Sequence, residues 1–229
     1  MARTGCAFKW KVSVTLEVVS FAQELSQLLP SDLPNRDACI AGATRHLEMI
    51  VETNQHFNLT RILDPREAAI KHVLDSVLPW RLFAGAKHIA DAGSGAGFPG
   101  IPLAFVLPES QFTLLESTQK KAAFIVSAVE TLGLSHVDAL PERAETYLGV
   151  HSVDIVTARA VAPLSRAIPL FAPALRKGAR VLLYKGPDAE KEIEEARREP
   201  KNTNWKIRIV FEYELPDSLG SRKVVEISR

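Results

Sequence analysis

Apolar positions in the first part of the chain recur every three to four residues, which is the period of an amphipathic helix. The pattern is clear over residues 18–29, where Pro30 follows the last apolar pair, and again over residues 36–54. Proline does not continue a helix, so the first segment is expected to end at this point. The sequence therefore predicts two helices before any strand.

A third helix is predicted from Asp64 to Leu78. Asp64 is a good N-cap, and Pro65 suits the first helical position because its missing N–H is not needed there. The charged residues of this segment, Arg66, Lys71 and Asp75, are expected on a solvated helix surface. We interpret residues 1–86 as a small N-terminal helical cap.

From residue 87 onward the pattern changes to short apolar runs that alternate with helical segments. Such alternation is typical of an α/β domain with a parallel sheet and helices on both faces. Strands are predicted at 88–92, 111–116, 137–140, 153–157 and 180–184, and helices at 101–106, 119–132, 164–175 and 189–199.

The end of the chain departs from this alternation. Two strand-like segments, 206–215 and 222–228, are separated only by residues 216–220. Five residues cannot hold a crossover helix, so the two strands are predicted to be antiparallel. Residues 87–229 are thus expected to form a mostly parallel sheet with an antiparallel C-terminal strand pair, packed with the helical cap as one compact unit.

Composition is ordinary for a globular protein and adds one constraint on function. The 229 residues are 46% hydrophobic and 24% charged, enough for one large domain with a sizeable core. The 28 Lys and Arg against 27 Asp and Glu leave a net charge of +1, so the protein has no global field that attracts nucleic acid. Any contact with nucleic acid must come from a local patch.

Cysteine usage and the N-terminal segment indicate a cytoplasmic protein. Cys6 and Cys39 are too few for a disulfide framework and lack the spacing of a metal site, so no metal is expected. Residues 1–20 contain Lys9, Lys11 and Glu17 and no long apolar run, which argues against a signal peptide or a membrane span.

Candidate chemistry centres on residues 91–100, DAGSGAGFPG, which follow the first predicted strand and precede a helix. Glycines at the turn between a strand and a helix adopt positive φ without strain and leave room for a ligand against the main chain. The segment is therefore predicted to bind a nucleotide-like ligand.

The glycines can be aligned in two registers that imply different ligands. Residues 95–100 fit G-x-G-x-x-G, which binds a dinucleotide pyrophosphate. Alternatively, Asp91 followed by Gly93, Gly95 and Gly97 resembles motif I of the Rossmann-like methyltransferases that use S-adenosylmethionine. A carboxylate suits a sulfonium and an ammonium and repels a pyrophosphate. We favour the second register, and the antiparallel strand pair supports it independently.

Three strand ends carry further candidate residues. Glu116 follows Gly93 by 23 residues and can accept hydrogen bonds from both hydroxyls of a ribose, which either ligand contains. Arg159 is predicted just past the fourth strand, facing ligand or substrate, and Lys185 takes the same place after the fifth. The segment 142–145 lies where an adenine would bind but reads as a polar loop.

The motifs together resemble one family. In chain order they are Asn58-Leu59-Thr60, Asp64-Pro65, His72 to Ser76, Asp91 to Leu103, Leu115-Glu116-Ser117, Arg159-Ala160 and Lys185-Gly186. This combination is similar to the bacterial methyltransferase G of small-subunit ribosomal RNA, also called glucose-inhibited division protein B. The resemblance extends from about residue 58 to 186, and the FPGIPL extension makes its central motif more specific than a glycine loop alone.

The resemblance implies methyl transfer from S-adenosylmethionine to ring nitrogen 7 of a guanosine in 16S ribosomal RNA. It places the ribose on Glu116 and the other cofactor contacts on Gly93, Phe98, Ala144, Glu145 and Arg159, to which the glycine register adds Asp91 and Gly95. The expected partner is 16S ribosomal RNA or the small ribosomal subunit, and we expect a monomer.

The chain departs from the family pattern at two places. Pro187 stands where the family commonly has Gln after the Lys-Gly pair, and residues 51–55 replace an aromatic, basic segment. Both places belong to the presumed substrate side, so they affect the expected RNA contacts more than cofactor binding.

The mechanism implied by this resemblance needs no general base. Nitrogen 7 of guanine has an in-plane lone pair and no proton to lose, so positioning and electrostatics carry the catalysis. Arg159 is the candidate catalytic residue, with His72 or Lys185 as further residues that orient the guanine or a phosphate. The candidate RNA contacts are Arg61, Arg66, Lys71, Lys120, Lys121, Arg159, Arg166 and Lys185.

Two alternative functions remain open from sequence. A nicotinamide-dependent (NAD) oxidoreductase would use the other glycine register. A non-enzymatic nucleoside-binding module associated with the ribosome would bind the cofactor without methylating RNA.

Overall fold

The computed structural model describes residues 20–229, so Cys6 and the first residues of the predicted helix 18–29 lie outside the described part. That helix is observed as α1, Phe21–Leu28. The side chain of its N-cap Ser20 accepts from the Gln23 N–H, and the Gln23 side chain accepts from the Ser20 N–H. This reciprocal capping explains why the helix begins here. Helix α2, Arg36–Asn54, has the predicted bounds.

The third predicted helix is present but changes its winding. It consists of α3, Pro65–Ala68, a π-helical segment, Ala69–Leu74, and α4, Asp75–Val77. Asp64 caps it as predicted, since its side chain accepts from the Glu67 N–H at 2.9 Å. The π-helical segment was not predicted. π-Helical turns are rare and occur frequently at functional sites.

Seven strands form one sheet in the order β3-β2-β1-β4-β5-β7-β6. Neighbours among the first five strands are parallel, whereas β7 is antiparallel to both β5 and β6. This confirms the predicted mostly parallel sheet with an antiparallel C-terminal pair. The strands are β1 His88–Ala92, β2 Gln111–Leu115, β3 Val137–Leu140, β4 Ile155–Arg159, β5 Arg180–Lys185, β6 Lys206–Glu214 and β7 Ser221–Ser228.

The fourth strand begins and ends two residues later than predicted. Arg159 is therefore the last residue of β4 instead of the loop residue expected from sequence. Its backbone pairs with Tyr184 of β5, which fixes the position of its Cα on the sheet.

Helices cover both faces of the sheet and form two buried clusters. Ile89 of β1 belongs to the cluster that includes residues of α1, α2, α5 and α6, while its neighbour Ala90 belongs to the cluster that includes residues of α7, α8 and α9. This alternation follows from the period of two in a strand. The later helices are α5 Gly100–Val106, α6 Gln119–Thr131, α7 Ala144–Val150, α8 Leu164–Arg176 and α9 Ala189–Arg198, and short 3-10 turns lie at Trp80–Leu82 and Pro200–Asn202.

Helix α7 corrects the prediction of a polar loop after the third strand. It has seven residues, of which only Tyr147 and Leu148 are buried, so it shows no apolar stripe that a periodicity analysis could detect. Its polar first turn, which includes Glu145, lies at the carboxyl end of the sheet.

Helix α2 packs closely on α5 through Gly42. A Cβ atom at this position would lie 2.0 Å from Cζ of Phe105. The two helices can approach this closely only because position 42 has no side chain. The first cluster joins residues of the proposed cap with residues of the sheet. The division at residue 86 stays a prediction.

Within residues 20–229, no helix has the length and apolar character needed to cross a membrane.

Candidate cofactor and substrate site

The glycine loop turns tightly over the end of β2. Gly93, Gly95 and Gly97 have φ values of 74°, 62° and 95°, which a residue with a side chain rarely adopts. The N–H groups of Gly93 and Ser94 both donate to the carbonyl oxygen of Leu115, at 2.8 and 3.1 Å. Gly93 itself is exposed, so its main chain is open to a ligand.

Asp91 lies beneath this loop and does not face a cavity. It is fully buried, and its Oδ2 accepts from the N–H of Gly100, the first residue of α5, at 2.9 Å. Burial raises the pKa of the Asp91 carboxyl to about 7. The expectation of a carboxylate open to the cationic ligand is therefore not met by this geometry. Asp91 instead links β1 to Gly100, the first residue of α5. Gly100 and Gly93 lie at opposite ends of the glycine loop.

Glu116 lies beside the loop, and both of its carboxylate oxygens accept from the main chain. Oε2 accepts from the Gly95 N–H at 3.0 Å, and Oε1 accepts from the Thr118 N–H at 2.7 Å. A carboxylate oxygen can accept more than one hydrogen bond, so these contacts leave acceptor capacity for ribose hydroxyls. The structure thus brings Gly95 and Glu116 together, and the ribose contact of Glu116 stays a prediction.

A cavity of about 230 Å³ opens between the glycine loop and α7. Its lining includes Gly93, Ala144 and Glu145, three residues that the family resemblance assigned to the cofactor. Leu115 and Phe171 supply apolar lining. An apolar slot with a few polar groups at its edge suits a nucleoside.

A second cavity, of about 630 Å³, lies on the other side of the loop 160–163. Val161 lines both cavities, and a Cβ atom at Gly93 would lie 3.4 Å from its Cγ2. The two cavities therefore meet at Val161. The larger one is rich in cationic side chains, namely Lys71, Arg159, Lys185 and Arg222, with Asp75 and Glu192 as its acids.

Phe98 lies in neither cavity but in a stack of rings beneath the loop. The His72 ring is parallel to it at 4.6 Å between centroids, and the His46 ring lies 4.8 Å away. His46 Nε2 donates to the Ala96 carbonyl at 2.8 Å, and His72 Nε2 lies 3.1 Å from the Thr60 hydroxyl. In this geometry Phe98 supports the glycine loop from below, and the cofactor contact implied by the resemblance stays a prediction.

Both histidines of this stack are neutral at physiological pH. Burial lowers the pKa of His46 to about 4 and that of His72 to about 3, the latter also because of the nearby Arg159 charge. His72 was a candidate for orienting the substrate, and it lines the larger cavity as an uncharged ring. His46 was missed, since a lone histidine in a helix carries no sequence signal of such a role.

Arg159 reaches the larger cavity from the end of β4 and is held by two acceptors. Its Nη1 donates to the Lys71 carbonyl oxygen at 2.9 Å and to Asp75 Oδ2 at 3.0 Å. Its guanidinium carbon lies 5.6 Å from the Phe98 ring centroid. The carbonyl group that accepts from Arg159 thus belongs to Lys71, within the π-helical segment.

Asp75 is the acid on which several elements converge, and sequence reasoning placed it wrongly. It was expected on a solvated helix surface, but its side chain is 1% exposed. Its carboxylate also accepts from the Tyr213 hydroxyl at 2.8 Å and pairs with Nε of Arg222 at 3.3 Å. Tyr213 and Arg222 come from β6 and β7, so no local pattern could have revealed this cluster.

Lys185 is engaged by the loop 160–163 instead of pointing freely into the cavity. Its Nζ donates to the Ala162 carbonyl and to Glu192 Oε2, the latter at 2.8 Å. The same Oε2 accepts from the Leu164 N–H at 2.9 Å. Glu192 therefore fixes both the lysine and the loop that separates the two cavities.

The remaining basic candidates fall into two groups. Arg66 pairs with Glu24 and Asp217, and Lys71 pairs with Glu67. Exposed basic side chains are found at Arg61, Lys120 and Arg166, while Lys121 is half-buried.

Among the described residues, no group of three or more His, Cys, Asp or Glu could hold a metal ion. Cys39 is buried in α2, away from the sheet-end loops.

Known proteins match this chain over most of its length. The model of the rRNA small subunit methyltransferase G family (GidB) matches residues 40–214. A ribosomal RNA small subunit methyltransferase G from Solibacter usitatus is 68% identical over 209 residues, covering 91% of this chain and 100% of the relative. One from Sorangium cellulosum is 47% identical over 167 residues, covering 69% of each chain.

The fold matches solved structures of methyltransferases as well. The B. subtilis tRNA methyltransferase TrmK superposes with a TM-score of 0.52 at 18% identity, over 69% of this chain and 67% of that one. This likeness concerns the fold alone. On the family match and the two relatives, the chain belongs to the rRNA small subunit methyltransferase G family.

Proposed function

We propose that the protein transfers the methyl group of S-adenosylmethionine to ring nitrogen 7 of a guanosine in 16S ribosomal RNA. As a member of its family, the chain is an S-adenosylmethionine-dependent ribosomal RNA methyltransferase. The observation that supports the proposal most is the pair of cavities that meet at Val161. One has the size and lining for a nucleoside, and the other is cationic and large enough for a nucleotide.

The smaller cavity is the proposed adenosine site. Ala144 at its edge offers a main-chain N–H near the adenine, and Glu116 accepts from the ribose hydroxyls across the glycine loop. The exposed main chain of Gly93 then faces the methionine part, and Val161 marks the passage to the larger cavity. Direct contacts of Phe98 and Arg159 with the cofactor belong to the same proposal.

Catalysis by this chain consists of orientation and electrostatics. When bound, the cofactor supplies an electrophilic methyl group on a sulfonium. Guanine nitrogen 7 offers a lone pair without a proton, so the neutral His72 is not required as a base. Asp75 and the Lys71 carbonyl hold Arg159 in one orientation before the substrate arrives. Such preorganised donors avoid a cost of rearrangement during the reaction.

The 16S RNA is the proposed partner, either free or within the small subunit. Exposed Arg61 and Arg166 and the cationic cavity wall are the proposed contacts. We further propose that the protein acts as a monomer in the cytoplasm. The family match does not support the oxidoreductase or the non-enzymatic nucleoside-binding module.

A methyl-transfer assay tests the proposal directly. The protein is incubated with labelled S-adenosylmethionine and with either unmodified 16S RNA or small subunits, and the product is mapped. The expected result is 7-methylguanosine at one position. Binding of S-adenosylhomocysteine without methyl incorporation into either substrate would contradict the proposal and favour the nucleoside-binding module.

Substitution of Arg159 tests its proposed role. Arg159→Ala is expected to lower turnover at least about a hundredfold, the usual effect of losing a preorganised electrostatic group. Arg176→Ala, at the end of α8 and outside both cavities, serves as the matched control. Retention of both cofactor affinity and turnover in Arg159→Ala would show that Arg159 has no such role.

A further inference from the structure

We infer that Arg222 and Arg159 together form a binding site for one backbone phosphate of the RNA substrate. This inference rests on the proposed function and adds a second, nucleotide-binding element to the same cavity. Arg222 belongs to β7, and its side chain is 23% exposed on the wall of the larger cavity. Arg159 is 18% exposed on the same wall.

Both guanidinium groups keep unused donors. Arg222 uses Nε toward Asp75 and Nη1 toward the Ser221 carbonyl oxygen, and Arg159 uses only Nη1. Within the described part of the chain, three nitrogens have no hydrogen-bond partner: Nη2 of Arg222, Nη2 of Arg159 and Nε of Arg159. A guanidinium has five N–H donors in a planar fork that fits phosphate oxygens. The unused donors can therefore engage an anion without breaking the observed contacts.

The charge balance of the cavity lining also favours binding of an anion. Lys71 pairs with Glu67 and Lys185 pairs with Glu192, one cation to one anion. Arg159 and Arg222, by contrast, share the single carboxylate of Asp75. Tyr213 gives that carboxylate a further donor but no charge. Among the residues that the structure describes, one positive charge of the cavity lining is thus left without a carboxylate of its own, and it attracts an anion.

The position of Arg222 favours the RNA over the cofactor as the source of this anion. Its strand β7 is three strand spacings from β1, which carries the glycine loop, or about 14 Å across the sheet. The cofactor carboxylate is the other possible anion, and it would belong on the glycine-loop side, near Arg159. A phosphate next to the target guanosine can reach the Arg222 side of the cavity. Charge-assisted contacts with both arginines would then fix the nucleotide.

The test is RNA binding by Arg222→Gln, measured with an unmodified 16S RNA transcript in the presence of S-adenosylhomocysteine. Loss of one phosphate contact is expected to weaken RNA binding about tenfold and to reduce the slope of log K against log salt by about 0.7 to 0.9. Affinity for S-adenosylhomocysteine, measured by calorimetry, is expected to stay within about twofold of the wild type.

Arg208→Gln is the matched control. Arg208 is also a hairpin arginine that pairs with a buried acid, Glu226 at 2.7 Å, but it does not line the cavity. Both substitutions remove a similar ion pair, and only Arg222→Gln should change RNA affinity and its salt dependence.

Arg222→Lys covers the case in which the glutamine variant does not fold. It keeps the charge but loses the fork, so RNA binding should weaken severalfold while the salt slope stays near that of the wild type. If the folded Arg222 variants bind RNA with the affinity and the salt slope of the wild type, the inference is overturned. A large loss of S-adenosylhomocysteine affinity in Arg222→Gln would also overturn it and assign the anion to the cofactor carboxylate. Because these measurements need no turnover, failure of methyl transfer in the wild type would contradict the proposed function separately.

Discussion

At the scale of single residues, Asp91 combines a structural contact with an unfavourable burial. One carboxyl oxygen accepts from Gly100, and the other has no hydrogen-bond partner among the described residues. A Cβ at Gly100 would lie 2.8 Å from Oδ2 of Asp91, so the helix can begin here only with glycine. The acid therefore fixes the geometry of the loop even though it does not face the ligand.

This burial predicts a pH dependence of stability. The pKa of Asp91 is about 7 in the folded protein against 3.8 as its ordinary value, so the folded state holds the proton more tightly. The free energy of unfolding should then fall as pH rises from about 4 to about 7, by up to about 4 kcal/mol at roughly 1.4 kcal/mol per pKa unit. Asp91→Asn cannot ionise, and denaturant unfolding at several pH values should show a flatter profile for this variant.

The matched control is Glu130→Gln, a substitution of an exposed acid on α6. Its pH profile should follow that of the wild type. An unchanged profile in Asp91→Asn would mean that the buried carboxyl does not titrate in this range.

Glu116 allows a second prediction at this scale. In Glu116→Gln one of the two carboxylate oxygens becomes an NH2 group, which cannot accept a hydrogen bond. One of the two main-chain N–H groups, that of Gly95 or that of Thr118, therefore loses its acceptor. We expect S-adenosylhomocysteine affinity to fall about tenfold or more, because one main-chain donor loses its acceptor and the ribose loses a charged one. Calorimetric titration measures the change. Glu109→Gln, an exposed substitution before β2, should bind as the wild type does.

The candidate residues at strand ends are predictable from sequence because each directly follows an apolar run. Gly93, Gly95 and Glu116 lie together because the parallel strands β1 and β2 end at one edge of the sheet. Asp75 was misjudged because its partners, Tyr213 and Arg222, lie more than 130 positions further along the chain. A charged residue in a helix has no local feature that distinguishes an exposed position from one enclosed by distant strands.

At the scale of secondary-structure elements, periodicity and capping predicted most helices and strands. Helix α2 matches its predicted bounds, and its buried residues Cys39, Ala43, Leu47 and Ile50 recur at helical spacing, although its N-cap Asn35 makes no side-chain capping hydrogen bond. The π-helical segment 69–74 and the short helix α7 were not predicted. Helix α7 buries only Tyr147 and Leu148, too few to give an apolar stripe, and no residue type marks the winding of the π-helical segment.

Close packing of α2 on α5 gives a prediction for an element contact. In Gly42→Ala the new methyl group would overlap the Phe105 ring, at 2.0 to 2.4 Å from three of its atoms. The atoms it meets are the tip of a half-buried ring that can move, and alanine is favoured over glycine within a helix, so we expect a net destabilisation of about 1 to 2 kcal/mol. This corresponds to a decrease of roughly 5 °C in melting temperature for a protein of this size.

Gly149→Ala is the control for this prediction. Gly149 also lies in a helix, α7, but nothing lies within 4 Å of an added Cβ. Alanine there should raise stability by up to about 1 kcal/mol, since glycine is unfavourable in a helix. Equal melting temperatures for the two variants would contradict the packing argument.

At the scale of the whole molecule, the C-terminal hairpin is tied to the N-terminal helices. Arg66, just after the start of α3, pairs with Asp217 in the turn between β6 and β7 and with Glu24 of α1. Tyr213 and Arg222 add the contacts to Asp75. The larger cavity is therefore walled by segments from both ends of the described chain.

Two tyrosines on this side of the sheet, the buried Tyr184 and the half-buried Tyr213, should differ in their contribution to stability. The Tyr213 hydroxyl donates to the charged Asp75, whereas the Tyr184 hydroxyl donates to the neutral Ser76 carbonyl at 2.7 Å. Tyr213→Phe should cost about 1.5 to 3 kcal/mol, and Tyr184→Phe about 1 kcal/mol, because hydrogen bonds to charged groups are stronger. Denaturant unfolding of both variants measures this order. A larger cost for Tyr184→Phe would refute it.

Sequence predicted the reversal of the last strand pair but not its order in the sheet. The short turn 216–220 requires antiparallel neighbours, yet it does not determine which of the two strands lies beside β5. Local sequence cannot decide this, because the choice depends on the contacts of the strand faces with distant helices and on Asp75.

The strand order has a consequence for synthesis of the protein. β7 lies between β5 and β6, so β6 has no place in the sheet until β7, which follows it in the chain, has emerged from the ribosome. A nascent polypeptide ending before Ser221 would carry the complete glycine loop but an unattached β6 edge and a cavity lacking Arg222. All residues that line the nucleoside cavity are thus translated before β7, whereas the wall that we assign to RNA waits for the last strand of the chain.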